Sequence, residues 1–354
     1  MMRTSNSRFL DRLGISHPVI QAPMAGVSTP AMAAAVSNAG ALGSLGLGAD
    51  TVESAQRAIA MTRALTQRPI HLNVFCHQPA VSNARVEQSW LARLRPEFER
   101  YGAAPPAQLS EIYTSFLANP GMVELLLDTK PEVVSFHFGL PPRETLDALR
   151  QTGIVLIASA TNPAEAKIIS DAGLDAVIAQ GYEAGGHRGA FDPDARDDAL
   201  GTLALTRLLV TSLEIPIIAA GGIMDRAGIA AMLKLGAAAV QLGTAFVLCP
   251  ESSADAGYRA ALASDAANHT MMTRAISGRP ARCLANKFTA IGESVPPAEI
   301  PSYPIAYDAG KTLHAAAKAK GEFGFGAQWA GQGAPLARTL PARELIEVLT
   351  TGPL

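Results

Sequence analysis

Short apolar runs recur along this chain, separated by stretches long enough to hold a helix. They are VIQAPMA (19–25), ALGSLG (41–46), PIHLNVF (69–75), VVSFHF (133–138), IVLIASA (154–160), AVIAQG (176–181), PIIAAGG (216–222) and AVQLGTAF (239–246). Each has the length of a strand and reads as one buried on both faces. Helical patterns such as TPAMAAAVSNAG, NPAEAKIISDAG and DRAGIAAMLKLG lie between them, and each of these three ends in glycine, a common residue just past a helix C-terminus. Thr29 followed by Pro30 is a capping signal at the start of the first. Eight strands alternating with helices predict an α/β fold, a TIM (β/α)8 barrel. A doubly wound sheet is the rival, but it more often shows five or six strands. The long connection from 76 to 131, with its Pro and Gly segments, predicts extra helices.

The rhythm changes after the eighth run. Residues 251–329 read as helices and loops without further strands: ESSADAGYRAALAS and YDAGKTLHAAAKAKG as helices, GESVPPAEIPSYP as a proline-rich turn. We therefore expect a barrel over 1–250, completed by 330–354, and a helical cap over 251–329. PARELIEVLTTG predicts a last helix with Pro341 at its first position.

Composition narrows the classes. The formal net charge is −2 and charged residues make up 17% of the chain, against about 25% in an average domain. No basic block is present, which speaks against a nucleic-acid partner. Cys76, Cys249 and Cys283 lie far apart, with neither a disulfide framework nor zinc spacing. No metal site is expected. The N-terminal MMRTSNSRFLDRLGI lacks the apolar core of a signal peptide, and no run of about 18 apolar residues predicts a membrane span. A cytoplasmic enzyme is the expectation.

In such barrels the working groups sit at the C-terminal ends of strands. That position selects Gln21, Ala22, Pro23 and Met24 after the first strand, Asn73 on the third and His137 on the fourth. Ser159 and Thr161 follow the fifth, and Gln180, Gly185, Gly186 and His187 the sixth. Gly221 and Gly222 after the seventh strand, and Gln241, Leu242, Gly243 and Thr244 at the eighth, can offer backbone N–H groups and a hydroxyl to a phosphate. One glycine pair alone is equally a tight turn; two such loops on adjacent strands favour a phosphate-bearing ligand. GALGSLGLGAD (40–50) does not fit G-x-G-x-x-G, and no helix opens inside it, so it reads as a tightly packed strand. Asn73 and Gln180 are amides at the ends of apolar strands. Leaving such an amide unpaired costs about 1–3 kcal/mol, and a flavin edge or a backbone carbonyl would pair it. His137 in SFHFG is either functional or part of the barrel wall. Tyr303, Tyr307 and Lys311 are spaced to share one helix face, lining a pocket or solvated.

QAPMAGV, LNVF, GYEAGGHRG, PIIAAGGI and AVQLGTAF, in this order, resemble the nitronate monooxygenase family, also called 2-nitropropane dioxygenase-like flavoproteins. Tyr303, Tyr307, Lys311 and WAGQG (329–333) are similar to the bacterial class I members in particular. The resemblance implies an FMN-containing TIM barrel with a helical second domain. It implies oxidation of a nitronate, such as propionate 3-nitronate, by O2 to a carbonyl compound and nitrite, with neither metal nor nicotinamide. It places Asn73, Gln180, Gly185, Gly222 and Gln241–Thr244 on FMN and lays Gln21–Met24 along the flavin. His187 becomes the active-site histidine, and Tyr303, Tyr307 and Lys311 close the pocket. On this reading Gly185 and Gly186 let the chain pass close to the flavin. An unperturbed imidazole titrates near 6.5, so a base at His187 would lose activity below about that pH. FMN-dependent NAD(P)H reductases of the enoyl-acyl carrier protein or quinone type look much alike in the GGH and GGI segments and are the alternative.

Overall fold

The computed structural model describes residues 5–352. Residues 1–4 and 353–354, the ends of the predicted barrel segments, lie outside the described residues. In chain order the strands are β1 (Val19–Gln21), β2 (Gly43–Gly46), β3 (Ile70–Phe75), β4 (Val133–His137), β5 (Val155–Ala160), β6 (Ala176–Gln180), β7 (Gly186–His187), β8 (Ile217–Ala220), β9 (Ala239–Leu242), β10 (Thr270–Thr273) and β11 (Ala281–Leu284). Eight of them form one parallel sheet in the order β1-β9-β8-β6-β5-β4-β3-β2. Backbone bonds from Leu42 N to Val19 O (3.0 Å) and from Gln21 N to Leu42 O (2.9 Å) join its two ends, giving a TIM-type barrel. All eight predicted strands are present. Almost every residue in them is buried, because helices cover the outside and side chains fill the inside.

Several helices start where a short polar side chain satisfies a free N–H of the first turn. Thr29 caps Met32 N, Asn162 caps Glu165 N and Asp225 caps Gly228 N. Phe9, Leu13 and Ile15 pack with Ile20, Val133, Val155, Ile157 and Ile178, so the N-terminal helix closes one end of the barrel. The connection from 76 to 131 does hold extra helices, Ala84–Arg100 and Pro120–Thr129.

Two expectations are corrected. Residues 251–329 do contain strands: β10 and β11 form an antiparallel sheet with β7, pairing Ala281 with His187 and Arg282 with Gly186. Four-residue strands among helices are too short to show a period. Pro341 is the N-cap of Ala342–Thr350 and not its first helical residue. Trp90, Leu94 and Phe98 of the inserted helix pack against Ala306, Ala309 and Leu313 of the helix Ile305–Lys318. The long insertion and the segment after the eighth barrel strand therefore share one apolar cluster.

Inside the barrel the His71 imidazole is fully buried between Ser44 Oγ (2.8 Å) and Ser135 Oγ (2.6 Å). Burial pulls it down from the usual histidine range to about 3, and buried His77 to about 4. Unfolding lets both bind a proton below about pH 6.5, so the unfolded state holds more protons and stability falls as pH drops. Each histidine contributes a slope of about 1.4 kcal/mol per pH unit between pH 6 and their folded values. Urea unfolding at pH 7, 6 and 5 should show this loss; a flat free energy across that range would contradict it.

Candidate active site

A cavity of about 610 Å³ opens at the C-terminal ends of the barrel strands and is lined also by residues from 251–329. Of the first-strand residues, Ala22, Pro23 and Met24 line it. Gln21 does not: it is fully buried, its Oε1 accepting from Ser44 N (2.9 Å) and its Nε2 donating to Ser28 Oγ (2.8 Å) and to Ala22 O. Leu242 is likewise absent from the wall, because strand alternation turns it into the apolar layer with Val240 and Phe246. Neither side chain therefore faces the cavity.

Gly221, Gly222, Gln241, Gly243 and Thr244 do meet at one end of the cavity. Gly222 has φ +69°, a conformation that side chains rarely adopt, and Gly221 has φ +120°. The Thr244 hydroxyl accepts from Gly331 N (3.0 Å) and keeps its own proton to donate. Gln241 Oε1 is buried without a partner. An unpaired carbonyl beside a bare-backbone loop suits a ligand carrying both a donor and a phosphate.

Asn73 lines the cavity with Nδ2 bound to Ser135 Oγ (2.7 Å). Gln180 also lines it, but its amide serves the following loop: Nε2 donates to His187 O (2.9 Å) and Oε1 accepts from Gly189 N (2.7 Å). Arg188 reinforces this. It is almost fully buried, pairs with Asp197 (2.7 Å) and donates to Gln180 O (2.9 Å). Gly185 lines the cavity, yet a Cβ there would stand 2.5 Å from Gly331 N and 2.6 Å from the Ala330 carbonyl carbon. The bare peptide before the histidine thus makes room for the WAGQG backbone, not in the first place for a ligand.

His187 is held on both sides. Its backbone belongs to β7, and its Nε2 lies 2.9 Å from Ser277 Oγ. Ser277 in turn donates to Arg279 O (3.2 Å), so it accepts from Nε2–H and leaves the Nδ1 lone pair open to the cavity. Burial first, and then His137, Arg279 and His77, pull the imidazole down to about 3. An imidazole held that low would stay neutral below pH 6.5, so the loss of a neutral base near that pH is not expected at His187. His137 has both ring nitrogens engaged, Nδ1 with Ser159 Oγ (3.0 Å) and Nε2 with His187 O (3.3 Å). It lines the cavity chiefly as a support of the His187 loop.

Tyr303, Tyr307 and Lys311 all reach the cavity. They are not on one helix face, because the helix starts at Ile305 and Tyr303 lies before it. Tyr303 and Tyr307 still pack on the His187 ring, at centroid distances of 5.4 and 6.3 Å. Lys311 Nζ sits over Tyr113 (4.9 Å) and Tyr307 (5.5 Å), and burial lowers its pKa. Sequence reasoning missed Tyr113, in the long insertion, and Ser277 and Arg279, between β10 and β11. It noted Trp329 only within a motif, yet that ring lies 5.0 Å from His187. No local pattern marks these residues, since their partners are distant in sequence.

Among the described residues no helix is long and apolar enough to cross a membrane. The nitronate monooxygenase family model matches residues 6–352. A nitronate monooxygenase of Paraburkholderia phytofirmans is 62% identical over 98% of this chain and 95% of its own, and one of Pseudomonas aeruginosa is 54% identical over 97% of each. Among solved structures, a nitroalkane oxidase from Streptomyces ansochromogenes superposes with a TM-score of 0.88 at 40% identity, covering 97% of this chain and 96% of that one. FabK from Thermotoga maritima reaches 0.73 at 29%, over 99% and 95%. The barrel, the glycine loops after β8 and β9, and relatives aligned over nearly the whole chain agree: this chain belongs to the nitronate monooxygenase family.

Proposed function

We propose that the chain is an FMN-dependent nitronate monooxygenase that converts an alkyl nitronate and O2 to a carbonyl compound and nitrite. The observation that carries this is one continuous cavity joining the two glycine loops to His187 and Lys311. Gly222, Gly243 and Thr244 would hold the FMN phosphate, and the unpaired Gln241 carbonyl would accept from the cofactor. Bound there, FMN would supply the one-electron and oxygen chemistry that no side chain of the cavity can. The chain's own residues do the rest. Tyr303, Tyr307, Tyr113 and Trp329 exclude water, His187 Nδ1 accepts a proton or hydrogen bond, and Lys311 attracts the anion. Residues 251–329 act as the cap over this chamber.

Oxygen uptake and nitrite release with propionate 3-nitronate test the reading. Anaerobic mixing with NADH or NADPH separates it from the FMN-dependent NAD(P)H reductase alternative, which would bleach the flavin. Lys311→Met should raise KM for a carboxylated nitronate roughly tenfold, the equivalent of about 1.5 kcal/mol for a hydrogen bond to a charged group. KM for a simple alkyl nitronate should rise less. Equal effects on both substrates would remove Lys311 from carboxylate recognition.

A further inference from the structure

Arg279 is only 4% exposed, yet no carboxylate forms an ion pair with it among the described residues. Its Nη2 donates to Ala190 O, and its Nε is buried without a partner. Glu165 and Asp192 act on it only at a distance; Glu165 spends its oxygens on Thr161 N, Thr161 Oγ1 and Phe191 N. The guanidinium lies 4.1 Å over the ring of Phe138. Phe138 has φ +73°, a strained conformation for a side-chain-bearing residue, and it also meets the rings of His137 (4.5 Å), Phe75 (4.9 Å), Tyr303 (5.6 Å), His187 (5.7 Å) and His77 (6.4 Å). A buried cation costs several kcal/mol unless something compensates it, and here an aromatic face is a main partner.

We infer that Arg279 is a positioning residue for the proposed reaction: from behind Phe138 its fixed positive charge makes the cavity at His187 select anionic over neutral ligands. The inference rests on the functional reading above only for the identity of the anion. A cation in a low-dielectric wall acts over several ångströms without touching its target. The same charge acts on neighbouring groups: beside burial, the main cause, Arg279 adds to the lowering of the imidazoles of His77, His137 and His187. His187 is faced by His137, His77, Arg279, Tyr303 and Tyr307, with Ser277, Phe138 and Trp329 as uncharged neighbours. Arg279 is the one permanent cation in that set.

The test uses the holoenzyme with Arg279→Gln, which keeps an amide donor for Ala190 O, and Arg279→Lys, which keeps the charge. Calorimetric titration with inorganic nitrite reads anion affinity independently of any turnover. Arg279→Gln should weaken nitrite binding about tenfold and leave the affinity for neutral nitroethane within twofold, and Arg279→Lys should recover most of the loss. The His187 resonance, assigned with His187→Asn, should titrate at a higher pH in Arg279→Gln than in the wild type. Failure of nitronate oxidation in the wild type would sink the functional reading while both of these measurements still report on Arg279. The inference is overturned if nitrite and nitroethane weaken equally. It is overturned too if folded Arg279→Lys is as impaired as Arg279→Gln and the His187 titration does not move.

Discussion

His187→Asn is expected to slow oxidation of neutral nitroalkanes by a factor of about 10² to 10⁴, the usual contribution of a positioned general base. The α-proton of a nitroalkane must leave before the molecule can react as a nitronate. Nδ1 of His187 is the lone pair open to the cavity, because Ser277 occupies Nε2. Asparagine at 187 supplies no basic nitrogen. A substrate supplied as the nitronate has already lost that proton, so much of that activity should survive in the variant. Because the imidazole is depressed to about 3, the wild-type rate with nitroalkanes should not fall as pH drops from 8 to 5. Anaerobic flavin reduction by both substrate forms, across that range in both proteins, measures all of this. A variant unimpaired with every accepted substrate would reduce His187 to a loop residue. A wild type inert to nitroalkanes would leave the base idle, and the substitution should then tell on nitronate KM.

The second large effect is expected at the phosphate end. Gly222→Val should yield protein with little bound flavin, its affinity lowered by at least tenfold. Valine at φ +69° is strained by about 1–3 kcal/mol, and its Cβ would stand 3.2 Å from Glu183 Cβ, tighter than ordinary contact. The loop would relieve both by moving, which displaces the N–H groups offered to the phosphate. Gly222→Ala should show the same loss in milder form. Flavin content after purification and after reconstitution with FMN is the readout, and the wild-type supernatant after denaturation should contain FMN and no FAD. Full flavin occupancy in Gly222→Val would exclude Gly222 from the phosphate cradle.

The sequence by itself determined the barrel. Its eight strands are almost continuously buried, so each appears as an apolar run that needs no knowledge of its neighbours, and Thr29 marks a helix start through a bond three residues away. It also marked part of the cavity wall, because in a (β/α)8 barrel the C-terminal ends of the strands face the site. Only the tertiary structure decided what each of those residues faces. Gln21 and Leu242 sit at the right strand ends but turn away from the cavity, to Ser44 and to the apolar layer under the helices. Gln180 spends its amide on the loop that carries His187, and Gly185 makes room for Gly331. The protonation of His187, the bond to Ser277 and the cation of Arg279 depend on the β7–β11 pairing, which brings Ala281 beside His187 across 94 residues of chain (281 − 187). Burial and electrostatics are sums over such distant neighbours, and a strand of two residues paired with one of four leaves no period in the sequence from which they could be read.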